Sequence, residues 1–134
     1  MHLRTSAAIL RIRGSLAERF DFSLDQDSDY PRLVVELWNN LFRNGTLHVA
    51  DYIPTNTFSV HDNLFDTVTL SDCEAVPNSH NGYLTNTTHL RGSTGGDKDI
   101  TPPADYQTGP LGNYYYPTTG GNLSQLNASI CAVG

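Results

Sequence analysis

The hydrophobic and polar residues between Val35 and Asp72 follow one pattern that occurs twice. The first copy reads Val-Glu-Leu-Trp-Asn-Asn-Leu-Phe-Arg-Asn-Gly-Thr-Leu and ends at Leu47. The second begins at Phe58 and reads Phe-Ser-Val-His-Asp-Asn-Leu-Phe-Asp-Thr-Val-Thr-Leu. The copies align without a gap at an offset of 23 residues. We therefore expect the two segments to be structurally equivalent.

Two secondary structures compete for the first copy. Its apolar residues recur at helical spacing between Leu33 and Phe42, and Gly45 stands where a helix would end. The second copy instead alternates apolar and polar residues from Phe58 to His61, and it is β-branched at positions 67–69. Because equivalent segments must take the same form, we predict strands for both and keep the helix as the alternative.

A period of 23 residues is typical of one turn of a parallel β-solenoid and is too short for a repeat made of two helices. Equivalent residues of successive turns then stack about 4.8 Å apart. Stacked leucine and phenylalanine side chains form interior columns, and stacked asparagines form a ladder of amides at a tight bend. The predicted columns and ladder consist of three pairs: Leu41 with Leu64, Phe42 with Phe65, and Asn40 with Asn63.

The succession of an aliphatic strand, Asn-Asn-Leu-Phe or Asp-Asn-Leu-Phe, and a Thr-Leu strand resembles right-handed parallel β-helix proteins, the pectate-lyase-like superfamily. The stretches 108–117 and 126–129 resemble a segment of large bacterial surface proteins with β-helix regions. Asn127 and Ser129 depart from that segment, which has Asp and Gly there. The resemblance covers roughly residues 33–130. It implies an all-β, right-handed parallel β-helix and an extracellular or cell-surface location.

The chain is expected to form a single domain, a β-helix fragment of about three to five turns. Residues 1–20 are predicted to be a lead-in or a short N-terminal capping helix, because apolar residues recur there at helical spacing. Residues 21–90 contain the turns, with repeats at 35–49 and 58–72 and a third turn with a shifted bend near Asn81. Residues 91–134 are a terminal segment rich in Gly, Pro and Tyr.

The partners follow from this architecture and from charge. Open strand edges predict self-association or contact with the rest of a larger β-helix chain. The net charge is −6, and the part beyond Arg19 is strongly acidic, which argues against nucleic-acid binding. The sequence contains no apolar stretch long enough for membrane insertion, and residues 1–20 lack the apolar core of a signal peptide. Cys73 and Cys131 match no metal motif, so free thiols and a disulfide both remain open.

Acidic residues at alternate positions provide one candidate metal site. Asp25, Asp27, Asp29 and Glu36 fill positions 1, 3, 5 and 12 of a calcium-binding EF-hand loop. Tyr30 stands where that loop requires Gly, and the loop also needs flanking helices. A looser calcium site and a solvated acidic turn are the other interpretations. We otherwise expect no cofactor.

The functional hypotheses follow from the candidate catalytic and binding residues. Enzymes of the resembled superfamily use carboxylates, but at the offset of 23 residues no two carboxylates among Glu36, Asp62 and Asp66 stack on each other. Trp38 and Tyr52 are candidates for stacking on sugar rings, because Trp38 points outward if Leu37 points inward. The alternative is that Trp38 packs under the loop expected at 51–56. The main hypothesis is a non-catalytic structural or adhesive module, with polysaccharide as a further partner. The alternatives are a fragment of a polysaccharide lyase or glycoside hydrolase, and a calcium-stabilised binding module.

Overall fold

The computed structural model describes residues 8–25, 33–50, 57–71, 75–84, 88–100, 106–109 and 112–115. Within these ranges the chain is all-β, as the sequence predicts, and none of their residues is helical. The strands are β1 (Ala8–Arg13), β2 (Leu16–Glu18), β3 (Asp21–Asp25), β4 (Leu33–Trp38), β5 (Leu41–Arg43), β6 (Thr46–Ala50), β7 (Thr57–His61), β8 (Leu64–Asp66), β9 (Thr69–Ser71), β10 (Asn78–Ser79), β11 (Gly82–Leu84), β12 (Lys98–Ile100), β13 (Gln107–Gly109) and β14 (Gly112–Tyr115).

Twelve of these strands lie in three parallel sheets. Sheet 1 has the order β1-β4-β7-β10, sheet 2 the order β12-β11-β8-β5-β2, and sheet 3 the order β3-β6-β9. The chain contributes one strand to each of the three sheets in turn. Its next strand in a sheet then pairs with its previous strand in that sheet. We call β1–β3 unit 1, β4–β6 unit 2, β7–β9 unit 3, and β10–β11 unit 4. Strands β13 and β14 form a separate antiparallel pair.

Units 2 and 3 pair in the register that the repeat predicts. Leu41 pairs with Leu64 and Phe42 with Phe65 in sheet 2, and the offset of 23 residues also holds in sheets 1 and 3. The offset changes elsewhere, to 25 between units 1 and 2 and to 18 between units 3 and 4. The number of residues between equivalent strands therefore varies, whereas the paired strands stay aligned.

Residues in the left-handed backbone region make the bends between strands. Gly14, Asn39, Asp62 and His80 follow the sheet 1 strands of the four units, with φ between 55° and 57°. Arg19, Asn44 and Thr67 follow the sheet 2 strands of units 1 to 3, with φ between 50° and 56°. Glycine, asparagine and aspartate enter this region at the least steric cost, which explains their frequency at these positions.

Inward-facing side chains fill the space between the sheets. In β4, buried Leu33, Val35 and Leu37 alternate with partly exposed residues. In sheet 2, the buried rings of Phe42, Phe65 and Tyr83 stack, with centroid separations of 5.3 Å and 5.4 Å. Burial of an aromatic or aliphatic side chain of this size stabilises the fold by about 1.5–3 kcal/mol, so these columns are the main source of stability.

The helix predicted within residues 1–20 is wrong for the described part, residues 8–20. This stretch forms β1 and β2, and β1 pairs in parallel with β4. Leu10 and Ile12 are partly buried against the core, whereas Arg11 and Arg13 are exposed, which is the alternation of a strand. Pairing with β4 thus overrides a helical spacing of apolar residues.

Residues 88–100 lie beside unit 4, which the sequence pattern did not indicate. Strand β12 extends sheet 2 beyond β11, and Ser93 forms an isolated parallel bridge with Asn78. Backbone hydrogen bonds from Val76 to Arg91 and from His80 to Gly95 complete this contact. Residues 88–100 therefore cover the C-terminal side of units 3 and 4, and Leu90 and Ile100 are buried.

Candidate functional site

The outward face of sheet 1 carries two columns of polar and aromatic side chains. Parallel register places Arg11, Glu36 and Ser59 in one column. It places Arg13, Trp38, His61 and Ser79 in the other. Successive strands of a parallel sheet lie about 4.8 Å apart, so neighbours within a column are in contact range. This face of the described chain brings together guanidinium, carboxylate, indole, imidazole and hydroxyl groups, and it is the candidate site.

Glu36 is held by two cations from unit 1. Its Oε2 accepts hydrogen bonds from Nε of Arg11 at 2.7 Å and from Nη2 of Arg13 at 2.5 Å. The hydrogen bond from Arg11 is the main reason why the pKa of Glu36 lies below its ordinary value of 4.5, and Arg13 adds to the effect. The carboxylate that the sequence offered as a calcium ligand is therefore engaged in ion pairs.

Trp38 points outward, as the strand alternation predicts, and it is partly buried. The guanidinium carbon of Arg13 lies 3.7 Å from the centre of the indole ring. The ring of His61, on the next strand, lies 4.9 Å away at an interplanar angle of 34°. The indole Nε1 donates a hydrogen bond of 3.0 Å to Oγ of Ser59. Since side chains of both neighbouring strands cover the indole, its faces are not open platforms for a sugar ring.

His61 is oriented by the residue that follows it. Its Nδ1 lies 2.8 Å from Oδ2 of Asp62. A carboxylate only accepts hydrogen bonds, so Nδ1 carries the proton, and in the neutral ring Nε2 is an acceptor. A shallow cavity of about 130 Å³ opens beside this ring, lined in part by Ser59, Pro77, Ser79 and Thr94.

The asparagine ladder lies inside the bend between sheets 1 and 2. Oδ1 of Asn63 accepts from the backbone N and from Nδ2 of Asn40, at 3.1 Å and 2.9 Å. Asn81 repeats this pattern toward Asn63, with both distances at 3.1 Å. At the ends, Ser15 N donates to Asn40, and Asn81 N donates to Asp97. All three asparagines are buried, so the ladder is a structural element and lies away from the outward face.

Sequence reasoning missed three members of this ladder: Ser15, Asn81 and Asp97. The signal for Asn81 was present, because Asn-Gly-Tyr-Leu at 81–84 follows Asn-Leu-Phe-Asp at 63–66 with an aromatic residue in the same place. Ser15 had no such signal, since Ser-Leu-Ala at 15–17 shares only the leucine with Asn-Leu-Phe at 40–42.

The other acidic residues do not converge. Asp66 is buried and accepts hydrogen bonds from Nε of Arg43 at 3.1 Å, from the Tyr106 hydroxyl at 2.9 Å and from the Thr67 hydroxyl at 3.0 Å. The carboxylate of Asp66 is thus held inside the fold by three donors. Within the described ranges, no group of three His, Cys, Asp or Glu residues could hold a metal ion.

Several predicted residues lie outside the described part of the chain. Asp27 and Asp29 of the calcium set, Tyr52, Cys73 and Cys131 belong to this group. Asp25 ends β3, and Leu33 begins β4. The acidic loop is therefore flanked by strands, whereas an EF-hand loop is flanked by helices.

Comparisons of the chain with models of known protein families, with curated proteins and with solved structures find no match. In the described ranges, no helix is long and apolar enough to cross a membrane.

Proposed function

We propose that this chain is a right-handed parallel β-helix module with a structural or adhesive role in a secreted or cell-surface protein. In this proposal each unit is one turn of the solenoid, and the module performs no catalysis of its own. The handedness and the location come from the resemblance of the repeats to pectate-lyase-like and bacterial surface proteins. The three parallel sheets and their constant register support the solenoid.

One observation carries the proposal: the interior of the units is filled by stacked side chains. Val35, Leu41, Phe42, Leu64 and Phe65 have no exposed surface. A partner can therefore meet the described units only on their outward faces or at their ends. A long face built from repeated strands suits a spacer or an adhesive surface, because such a face offers many equivalent contacts in a row.

The arrangement of the carboxylates favours a non-catalytic role over a lyase or glycosidase. Glycosidases need two carboxyl groups that face one substrate bond, at about 5–9.5 Å from each other. Glu36 and Asp66 lie on strands of different sheets, and Arg43 pairs with Asp66 at the stacked position. The ion pairs of Glu36 with Arg11 and Arg13 likewise favour a module that is stable without calcium.

A retention assay tests this proposal. The purified chain is mixed with insoluble cellulose, xylan, chitin and polygalacturonate, and the protein left in the supernatant and the sugar ends released are both measured. We expect retention on at least one polymer with no release of sugar ends, and the heat-denatured chain serves as the control. Release of sugar ends that is lost in Asp66→Asn would show an enzyme, and retention on no polymer would limit the role to a spacer.

A further inference from the structure

In the second outward column of sheet 1, the side chains become much smaller between units 3 and 4. Trp38 is a large side chain that lies against Arg13 on one side and His61 on the other. The next position is Ser79, which pairs with His61 in the register of β7 and β10. A serine cannot reach over an imidazole ring, so the column ends in a step at which the stack of flat groups stops.

The cavity beside His61 lies at this step. It has a volume of about 130 Å³, and both His61 and Ser79 line it, together with Ser59 and Thr94. Trp38 covers His61 from the side of unit 2. The open side of the imidazole therefore faces the space above Ser79, where one more flat ring would continue the stack. Aromatic side chains offer such faces to the apolar side of a ligand ring.

The polar groups of the cavity suit the rim of a hydroxylated ring. Nδ1 of His61 is directed at the Asp62 carboxylate, so Nε2 is the ring nitrogen that remains for a ligand hydroxyl. The Ser59 hydroxyl accepts from Trp38 and keeps its own hydrogen to donate. Asp62 places a negative charge beside the cavity, which disfavours an anionic ligand such as a uronate.

We propose that the step between His61 and Ser79 binds one ring of a neutral polysaccharide, which stacks on His61 and hydrogen-bonds through its hydroxyl groups to the hydroxyls of Ser59 and Ser79. This inference rests on the adhesive role proposed above and assigns that role to one site. It also replaces Trp38, the residue expected from the sequence, with His61 as the stacking platform.

The intrinsic fluorescence of the chain reports on this site, because Trp38 is its one tryptophan and lies against His61. The test titrates the chain with cello-, xylo- and chito-oligosaccharides and with oligogalacturonate, and follows the emission. We expect a saturable change with at least one neutral oligosaccharide. We expect oligogalacturonate to bind about tenfold more weakly, if at all.

Two variants locate the site. His61→Ala removes the platform, and Ser79→Phe places a ring of the protein itself in the step while it continues the column. Each should weaken binding by about tenfold or more, and the circular dichroism spectrum of Ser79→Phe should match that of the parent. His48→Ala, on sheet 3, is the matched histidine control and should bind as the parent does.

The outcomes separate this inference from the broader proposal. If the parent is retained on a neutral polymer while His61→Ala and Ser79→Phe are retained equally well, the step is not the site and the adhesive role stands. If oligogalacturonate binds as tightly as the neutral oligosaccharides, the assignment of a neutral ligand is wrong. If the parent is retained on no polymer and binds no oligosaccharide, the site and the adhesive role are both wrong, and the structural role as a spacer remains.

Discussion

The side chain of Asn63 joins unit 3 to both of its neighbouring units. Its Oδ1 accepts two hydrogen bonds from Asn40, and its Nδ2 donates to the carbonyl of Leu37 at 2.7 Å and to Asn81 at 3.1 Å. The replacement Asn63→Ala leaves the buried N–H of Asn40 and the carbonyl of Leu37 without these partners. An unpaired buried polar group costs about 1–3 kcal/mol, so we expect the free energy of unfolding to fall by about 3 kcal/mol.

Urea denaturation of Asn63→Ala measures this loss directly. Asn44→Gly is the matched control, because Asn44 is exposed and glycine keeps its left-handed backbone at no steric cost. The control should change stability little. Equal stability of Asn63→Ala and the parent would mean that water replaces the missing amide.

Glu36 gives the stability a defined pH dependence. Its pKa in the folded chain is lowered, chiefly by the hydrogen bond from Arg11, so the folded state binds fewer protons at this site than the unfolded state. The stabilisation is fully present above the ordinary value of 4.5 and is lost as the pH falls below it. We therefore expect Glu36→Gln to be less stable than the parent at neutral pH, with a difference that disappears in acid.

Denaturation of the parent and of Glu36→Gln in parallel at neutral and at acidic pH checks this expectation. Added salt should also reduce the difference at neutral pH, because the two arginines are about half exposed. A difference that is the same at both pH values would show that Glu36 acts through its shape and not through its charge.

At the scale of the element, the bend at Gly45 leaves no room for a side chain. A Cβ atom on Gly45 would lie 2.5 Å from the carbonyl oxygen of Phe20 and would also meet its ring. Backbone cannot yield as a flexible side chain does, so overpacking at this bend costs about 1–3 kcal/mol. We expect Gly45→Ala to lower the melting temperature accordingly.

Gly14 provides the comparison for that experiment. It has a left-handed backbone like Asn39 in the next unit, and a Cβ atom there would meet nothing within 4 Å. We expect Gly14→Asn to be nearly neutral in a thermal melt. If Gly45→Ala loses no more stability than Gly14→Asn, crowding against Phe20 does not limit the bend at Gly45.

The sequence predicted some elements well because their equivalents are spaced alike. The offset of 23 residues was enough to place Leu41 on Leu64 and Phe42 on Phe65. Unit 1 was not recognised as a repeat in the sequence, because Gly14 and Ser15 replace the two asparagines of the bend and the offset to unit 2 is 25 residues. A different number of residues between two units changes the sequence offset but leaves their strands paired. A search for one fixed period cannot detect such a unit.

The same limit applies to the candidate site. The outward direction of Trp38 follows from alternation along one strand, so it could be predicted. The cover that Arg13 gives it depends on unit 1, and the step at Ser79 depends on the offset of 18 to unit 4. A site formed by four neighbouring strands is visible only when the three registers between them are known.

At the scale of the whole molecule, protection from exchange should follow the position of each strand in its sheet. Strands β5 and β8 have a paired strand on both sides, whereas β13 and β14 pair only with each other. Backbone amides whose hydrogen-bond partners lie in the interior of a stack of strands are the last to open and exchange. We expect hydrogen–deuterium exchange, read by mass spectrometry of peptides, to be slowest in units 2 and 3 and fastest at 107–115.

An exchange rate that is uniform over all peptides would contradict this gradient. It would show that the described units open only together, in one cooperative step, and that neighbouring units are not separable in energy. The retention time of the intact chain on a sizing column serves as the control that association does not mask the gradient.

The constant register between units 2 and 3 also determines how the chain tolerates changes in length. An internal duplication of one complete period, such as residues 40–62, would set Asn40, Leu41 and Phe42 on copies of themselves, which are the residue types that they already meet in unit 3. A single added residue within β4 or β7 would turn the following inward side chains outward. Such a chain can grow by whole copies of itself, and its length is then a quantity that gene duplication can adjust without redesign of the interior.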